Sequence, residues 1–299
     1  MVFRTKLVKA EGQITSEVCV PSGRIYTRAE LAKSFTKLRR SEVLAKHTQL
    51  DQFIDFLVSR RHLISITLKS EQYEKEVTRY CVGPPSPFAL AASLRKNGYL
   101  SHGTAAYLHK LLPQLPDTIY LNVEQSAKPV GQGSLSQTGL DKAFAGKQRQ
   151  SNLSFNNNNY TVTILAGKNS GRAGVEPMTV PKGSEVHATN LERTLIDITV
   201  RPVYAGGVPQ VLESFRAARE RVSAERILSI LDRLNHAYPY AQAIGFLMQR
   251  AGYRTEQLEL LRPRITEFKF YVAHGLKDPV YDERWRLFYP SGLAETETR

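Results

Sequence analysis

Between Thr27 and Val82 the apolar positions first keep helical time and then alternate. Within RAELAKSFTKLRR, Leu31, Phe35 and Leu38 recur at helical spacing behind Thr27 and Glu30, which have the spacing of a capping box. Residues 41–46 are expected to form a second, short helix. Thr48 then opens QLDQFIDFLVSRRHL, in which Leu50, Phe53, Ile54 and Leu57 share one face. In ISITLKSEQYEKEVTRYCV the period shortens to two. LISITL and VTRYCV are β-branched and aromatic, and the polar KSEQYEKE between them predicts a hairpin with a long tip.

Three short helices followed by a hairpin is the order of a winged helix-turn-helix domain. Such a domain buries one small core, sends its third helix into the DNA major groove and lays its hairpin along the backbone. After the rigid connector GPPSP (83–87), the pattern predicts helices over 87–95 and 102–111 and a strand over 118–123. The stretch KPVGQGSLSQTGLDKAFAGKQRQSNLSFNNNNY is rich in Gly, Ser, Asn and Gln, with a short helix expected over 138–145 and a turn at NNNN (156–159). YTVTILAG (160–167), MTV (178–180) and EVHAT (185–189) read as strands. Helices follow over 190–200, 208–221, 224–235, 240–251 and 255–261, then a strand in ITEFKFYVAH and an acidic, frayed tail. The expected architecture is therefore α+β: a winged helix-turn-helix over residues 1–86 and a mixed α/β domain with a helical end over residues 87–299.

Composition adds a partner. The 299 residues include 41 Lys and Arg against 28 Asp and Glu, a formal charge of +13, which favours a polyanion and nucleic acid first. Arg28, Lys37, Arg39, Arg40 and Lys46 precede the predicted third helix, with Arg24 and Lys33 nearby; Arg60, Arg61 and Lys69 follow around its end and the wing. These are the candidate DNA contacts, phosphate contacts giving affinity and base edges specificity. Asp51 and Asp55, on the predicted third helix, work against a strongly basic recognition surface.

Cys19 and Cys81 have no metal-ligand spacing, and the chain shows neither a signal core nor an apolar run of membrane-spanning length. A cytoplasmic protein with no membrane partner is expected. Ser101 is placed to cap the helix carrying His102 and His109, which share a face but lack an acidic or Cys ligand nearby; packing is the expected role. No GxSxG, HExxH or GxxxxGK[ST] motif occurs, so no enzyme activity and no cofactor are expected. The one nuclease-like element is Glu267-Phe268-Lys269 on the predicted strand, which supports a metal-dependent nuclease as a distant alternative.

In TNLERTLIDITVRPVYAGG, Thr189 and Glu192 have capping-box spacing, and Leu191, Leu195 and Ile198 form an apolar stripe. Arg193 and Asp197 are four apart and pair on another face, worth a few tenths of a kcal/mol if exposed. Arg201, before Pro202, is expected just past the helix end, where a cation suits the helix dipole.

GYLSHGTAAYLHKL with PDTIYLNVEQ, and ATNLERTLIDITVRPVYAGGVPQVLESF, resemble the AbiEi family, the antitoxins of AbiE-type abortive-infection, type IV toxin–antitoxin systems. The resemblance runs from about Thr27 to WRLFYP. Its most specific piece is Glu192-Arg193-Thr194-Leu195 with Asp197, Arg201-Pro202 and Gly206-Gly207, supported by Tyr99-Leu100-Ser101-His102. It implies an N-terminal winged helix that binds inverted repeats in double-stranded DNA at its own promoter and represses it. It also implies a C-terminal domain that counteracts a nucleotidyltransferase-like toxin, without requiring a stable complex. Ser101, His102, Glu192, Arg193, Asp197 and Arg201 are carried over as motif positions of that antitoxin domain. The charged segment 39–47 is longer than a compact helix-turn-helix needs. A stand-alone winged-helix regulator is the alternative reading.

Overall fold

The computed structural model describes residues 6–127, 134–157 and 159–293. Residues 128–133 of the soft stretch, Asn158 of NNNN and the acidic tail from residue 294 lie outside the described residues. The fold is mixed α+β. In chain order the elements are α1 (Lys6–Lys9), α2 (Glu11–Val18), β1 (Ile25–Tyr26), α3 (Arg28–Arg40), α4 (Leu50–Ser59), β2 (Ile64–Ser70), β3 (Lys75–Cys81), α5 (Pro87–Ala92), β4 (Tyr99–Leu100), α6 (His102–Leu108), β5 (Thr118–Glu124), α7 (Gln137–Ala145), β6 (Ser154–Asn156) and β7 (Thr161–Gly167). There follow β8 (Val175–Thr179), β9 (Glu185–Thr189), α8 (Leu191–Val200), α9 (Val208–Ala218), α10 (Ala224–Leu234), α11 (Tyr240–Arg250), α12 (Thr255–Leu261), β10 (Phe270–Tyr271), β11 (Pro279–Asp282) and β12 (Leu287–Pro290). Among the described residues, no helix is long and apolar enough to cross a membrane.

The chain divides into two compact units. The first comprises Met1–Lys96, Leu153–Val162 and Thr179–Val186; the second comprises Asn97–Asn152, Thr163–Met178 and His187–Arg299.

In the first unit, α3 begins at the Thr27–Glu30 capping box: Thr27 Oγ1 accepts from the Glu30 amide and Glu30 Oε2 accepts from the Thr27 amide at 2.7 Å. Leu31, Phe35 and Leu38 of α3 pack with Phe53, Ile54 and Leu57 of α4, each burial contributing about 1.5–3 kcal/mol. Three expectations change here. Residues 41–46 form turns rather than a helix. The third helix of the core is α2 instead, which contributes Ile14 and Val18 and is tied down by Tyr26 Oη donating to Val18 O at 2.8 Å. Gln49, not Thr48, precedes α4, its amide donating to Gln52 Oε1 at 3.0 Å.

β2 and β3 pair antiparallel from Ile64↔Cys81 to Ser70↔Lys75, and β1 pairs with β3. The polar stretch predicted as a long tip is therefore half strand, Lys69, Ser70, Lys75 and Glu76 extending the ladder and Glu71–Glu74 making the turn. Cross-strand pairs explain the extension: Thr67 and Thr78 share a hydroxyl hydrogen bond at 3.0 Å, and Lys69 meets Glu76 at 2.8 Å. The strand order in this unit is β1-β3-β2-β6.

The second unit carries the strand order β7-β5-β4-β9-β8, in which β4 is antiparallel to β5 and parallel to β9. Helices α8 to α12 bury Leu195, Phe215, Ile227, Ile244 and Leu261 in one core with Trp285. A separate small sheet, β10-β12-β11, closes the chain. ITEFKFYVAH is strand only at Phe270–Tyr271, because buried Gln242 takes the place of a neighbouring strand. Its Oε1 accepts from the Thr266 amide at 3.1 Å, and its Nε2 donates to Phe268 O at 3.1 Å. Glu267 and Lys269 consequently sit exposed outside the strand on which the nuclease alternative placed them.

Candidate functional site

The predicted DNA contacts all lie in the first unit and are all exposed, but they are not equivalent. Arg28 pairs with Asp51 at 2.5 Å, Lys37 with Glu17 at 2.6 Å and Lys69 with Glu76 at 2.8 Å. Arg60 lies 3.9 Å from Glu11 and over the Phe56 ring. Arg39 donates to Lys46 O, folding the charged segment 39–47 back on itself. Arg40, Lys46 and Arg61 make no side-chain ion pair among the described residues, and neither does Lys33, so their charge is the least compensated. Lys33, Lys37 and Arg40 stand at i, i+4 and i+7 and line one open groove along α3 with Ala32, Thr36 and Ser41. On α4 the exposed charges are the carboxylates Asp51 and Asp55.

In the second unit the structure converts a helix-surface pattern into a buried centre. Helix α8 starts at Asn190, whose Oδ1 accepts from the Arg193 amide at 3.0 Å. Thr189 is not the cap, because its hydroxyl is engaged with that of Thr194 at 2.8 Å. Glu192 therefore makes no capping box; it is buried, 3.4 Å from Arg226. Arg193 Nε donates to Asp197 Oδ1 at 2.7 Å, and its Nη1 donates to Ala173 O at 2.7 Å. Gly174, at φ +68°, lets this chain pass: a Cβ there would sit 2.7 Å from Arg193 Cβ. Burial works against the Arg193 charge, but Asp197, Tyr99 and Glu124 outweigh it and raise the Arg193 pKa.

Glu124, which the sequence did not single out, anchors the loop beside Arg193. Its Oε1 accepts from Ser170 Oγ, from the Arg172 amide at 3.1 Å and from Tyr99 Oη at 3.4 Å. Burial pushes its carboxyl up, yet these hydrogen bonds and the Arg193 charge bring it below the usual value. Arg201 closes α8 as its C-terminal cap, with its amide on Asp197 O at 2.9 Å. Gly206 and Gly207, at φ +85° and +89°, then reverse the chain into α9.

His102 has a left-handed backbone, φ +51°, and a buried ring standing edge-on to Tyr204 with centroids 5.3 Å apart. Ser101 Oγ does not cap α6; it is engaged with His102 Nδ1 at 2.9 Å. Burial, reinforced by the charges of Arg201 and Arg193 and opposed by Asp197, pushes His102 down to about 4. His109, at the other end of α6, bonds Thr189 O at 2.8 Å. The shared face expected of the two histidines thus has two separate packing partners.

His102, Arg193, Asp197 and Arg201 meet in one cleft of about 450 Å³, which Ser101 and Glu192 do not line. Arg149, Lys168 and His236 join them from segments distant in sequence. No local motif marked these three residues; they arrive by the packing of the 148–168 segment and the end of α10.

No family model matches the chain, and no curated protein matches it. Among solved structures, the chain is similar to the crystal structure of RV2827C protein from Mycobacterium tuberculosis, with a TM-score of 0.55 and 16% identity, covering 96% of this chain and 95% of that one. That similarity is one of fold.

Proposed function

We propose that this chain is an AbiE-type antitoxin. Its first unit acts as a winged helix-turn-helix that binds inverted repeats at its own promoter and represses it. Its second unit counteracts a nucleotidyltransferase-like toxin, by a route that needs no lasting complex, and the chain works in the cytoplasm without catalysis of its own. The observation that carries the reading is the order α2, β1, α3, α4, β2, β3 around one small core, with β1 on the edge of the β2–β3 hairpin and uncompensated cations beside it. Phosphate contacts then come from Lys33 and Arg40 on α3, from Lys46 and from Arg61 at the start of the wing. Helix α4 reads base edges through polar groups such as Gln52 rather than through cations. The antitoxin half rests on the resemblance and on the convergence of His102, Arg193, Asp197 and Arg201 at one cleft.

The test is binding of the purified chain to its own upstream DNA against scrambled DNA across a salt series, followed by fluorescence anisotropy. Selective binding with a steep salt slope is expected. Lys33→Glu with Arg40→Glu should weaken it and flatten the slope by roughly 0.9 per lost phosphate contact. The same variant should still rescue growth when a cognate nucleotidyltransferase-like toxin is co-expressed. Equal binding to both DNAs, or loss of rescue in the folded variant, removes the two-part assignment.

A further inference from the structure

The cleft of the second unit is within the size range of small-molecule sites and is strongly one-signed. Arg149, Lys168, Arg193 and Arg201 line it, against Asp197 as the one carboxylate. That carboxylate is already taken by Arg193 at 2.7 Å. Lys168 donates to Asn235 O, the residue that ends α10 in a left-handed turn. Arg201 has no side-chain hydrogen bond or ion pair among the described residues and rests over the Tyr204 ring at 5.9 Å. His236 adds a second unmet group: its Nε2 is buried without a hydrogen-bond partner among the described residues. The cations of Lys168, Arg193 and Arg201 all act on that ring, with Asp197 alone opposing them. A half-buried cleft with this excess of fixed positive charge concentrates anions. Tyr238 and Tyr240 in its lining add aromatic surface, and Asn122 and Gln148 add amide groups.

We propose that this cleft binds a small oligophosphate, with a nucleoside triphosphate or inorganic pyrophosphate as the ligand class. Arg201 and Lys168 hold the phosphate oxygens. His236 Nε2, which has no partner among the described residues, hydrogen-bonds to the same group. A half-buried, one-signed site of this size favours a compact multiply charged ligand over a single carboxylate, because two or more anionic centres are needed to meet the separate cations. Arg193 is the fixed wall of the site: Asp197 holds its Nε and Ala173 O its Nη1. The inference rests on the second unit alone and does not depend on the antitoxin reading.

The probes are inorganic pyrophosphate and ATP, CTP, GTP and UTP, titrated calorimetrically into the full chain, with a short single-stranded RNA in a parallel arm. One saturable site per chain for pyrophosphate or a nucleoside triphosphate is expected. Arg201→Gln and Lys168→Gln should each weaken it by roughly tenfold or more, as loss of a charge-assisted contact does. Arg40→Gln, on the first unit, should leave it unchanged. Arg201→Gln removes a side chain with no hydrogen bond among the described residues, so it tests the site without dismantling it; His236→Phe, checked for folding by its thermal melt, should weaken binding as well. The proposal is overturned by absence of saturable binding, by binding that Arg201→Gln and Lys168→Gln leave intact, or by equal weakening in Arg40→Gln. RNA bound at the cleft while pyrophosphate and all four nucleotides fail to bind or compete also overturns it, assigning the charge to a nucleic-acid chain.

Discussion

Arg193 and Asp197 form a 2.7 Å ion pair inside the protein, with side chains only 6% and 10% exposed. One turn of α8 thus carries both charges to the buried wall of the cleft, where each is largely shielded from water and depends on the other. Removing one partner strands the other, which costs about 3–5 kcal/mol. Asp197→Ala should therefore lower the melting temperature by about 10 °C, taking 2–4 °C per kcal/mol for a chain of this size. Asp197→Asn, which keeps an acceptor, should do less. Circular dichroism melts decide it: a change in Asp197→Ala no larger than for a solvated helix pair would mean the charges are hydrated. The DNA binding proposed for the first unit should survive in both variants.

The spacing of that pair was plain in the sequence, but its burial was not. An i, i+4 pair looks the same on a solvated face as in a core. What buries this one comes from far away in the chain: Ala173 O, Ser170 and the strand carrying Tyr99. Local chemistry placed α3, α4 and most of the helices from α8 onward well, because caps and apolar spacing are local. It missed α2, whose core residues Ile14 and Val18 are too few to stand out in a polar stretch. It overextended the strand at ITEFKFYVAH because the side chain of Gln242, remote in sequence, satisfies those backbone groups. In the cleft, the α8 residues were legible as a motif. Arg149, Lys168 and His236 were not, since nothing in their neighbouring residues marks a site.

His102 makes stability fall on acidification before the carboxylates titrate. Its ordinary value is 6.5, and burial in the fold brings it to about 4. Above about 6.5 the ring is neutral in both states and contributes no pH dependence. Between 6.5 and 4 the unfolded chain takes up the proton first, so stability drops as pH falls, and below 4 the loss levels off. From pH 7 to pH 5 this one group should remove about 2 kcal/mol. His236, also pushed down to about 4 by burial, acts in the same direction. Urea midpoints at the two pH values should show the drop, and His102→Gln should recover part of it. An unchanged slope in His102→Gln would show that the ring is solvated.

Gln242 joins α11 to the chain end through a fully buried amide. Its Nε2 donates toward Phe268 O, Trp285 O and Arg286 O at 3.0–3.2 Å, and its Oε1 takes both the Thr266 amide and hydroxyl. Gln242→Leu keeps the volume but leaves several buried groups without partners, at about 1–3 kcal/mol for each that water does not reach. Trp285, the single tryptophan, reports the damage directly. Its emission should shift to the red and become more accessible to acrylamide, with a stability loss of about 3 kcal/mol. Unchanged emission would mean that neighbouring groups re-pair around the leucine.

Asp51 sits on α4 with Arg28 against it at 2.5 Å, both side chains more than half exposed. As a solvated pair it contributes about 0–1 kcal/mol to stability, so Asp51→Asn should leave the melting temperature nearly unchanged. Its effect on DNA should be larger, because the substitution removes a carboxylate from the proposed reading helix and frees a guanidinium beside it. Affinity for upstream DNA at low salt should rise, and the plot of log affinity against log salt should steepen by roughly 0.9 if Arg28 gains one phosphate. Arg28→Ala combined with Asp51→Asn should return the slope to its starting value, which separates the freed arginine from the lost acid. A slope that stays constant in all three proteins would place this corner of the first unit away from the phosphates and leave Lys33, Arg40, Lys46 and Arg61 as the DNA-facing charges.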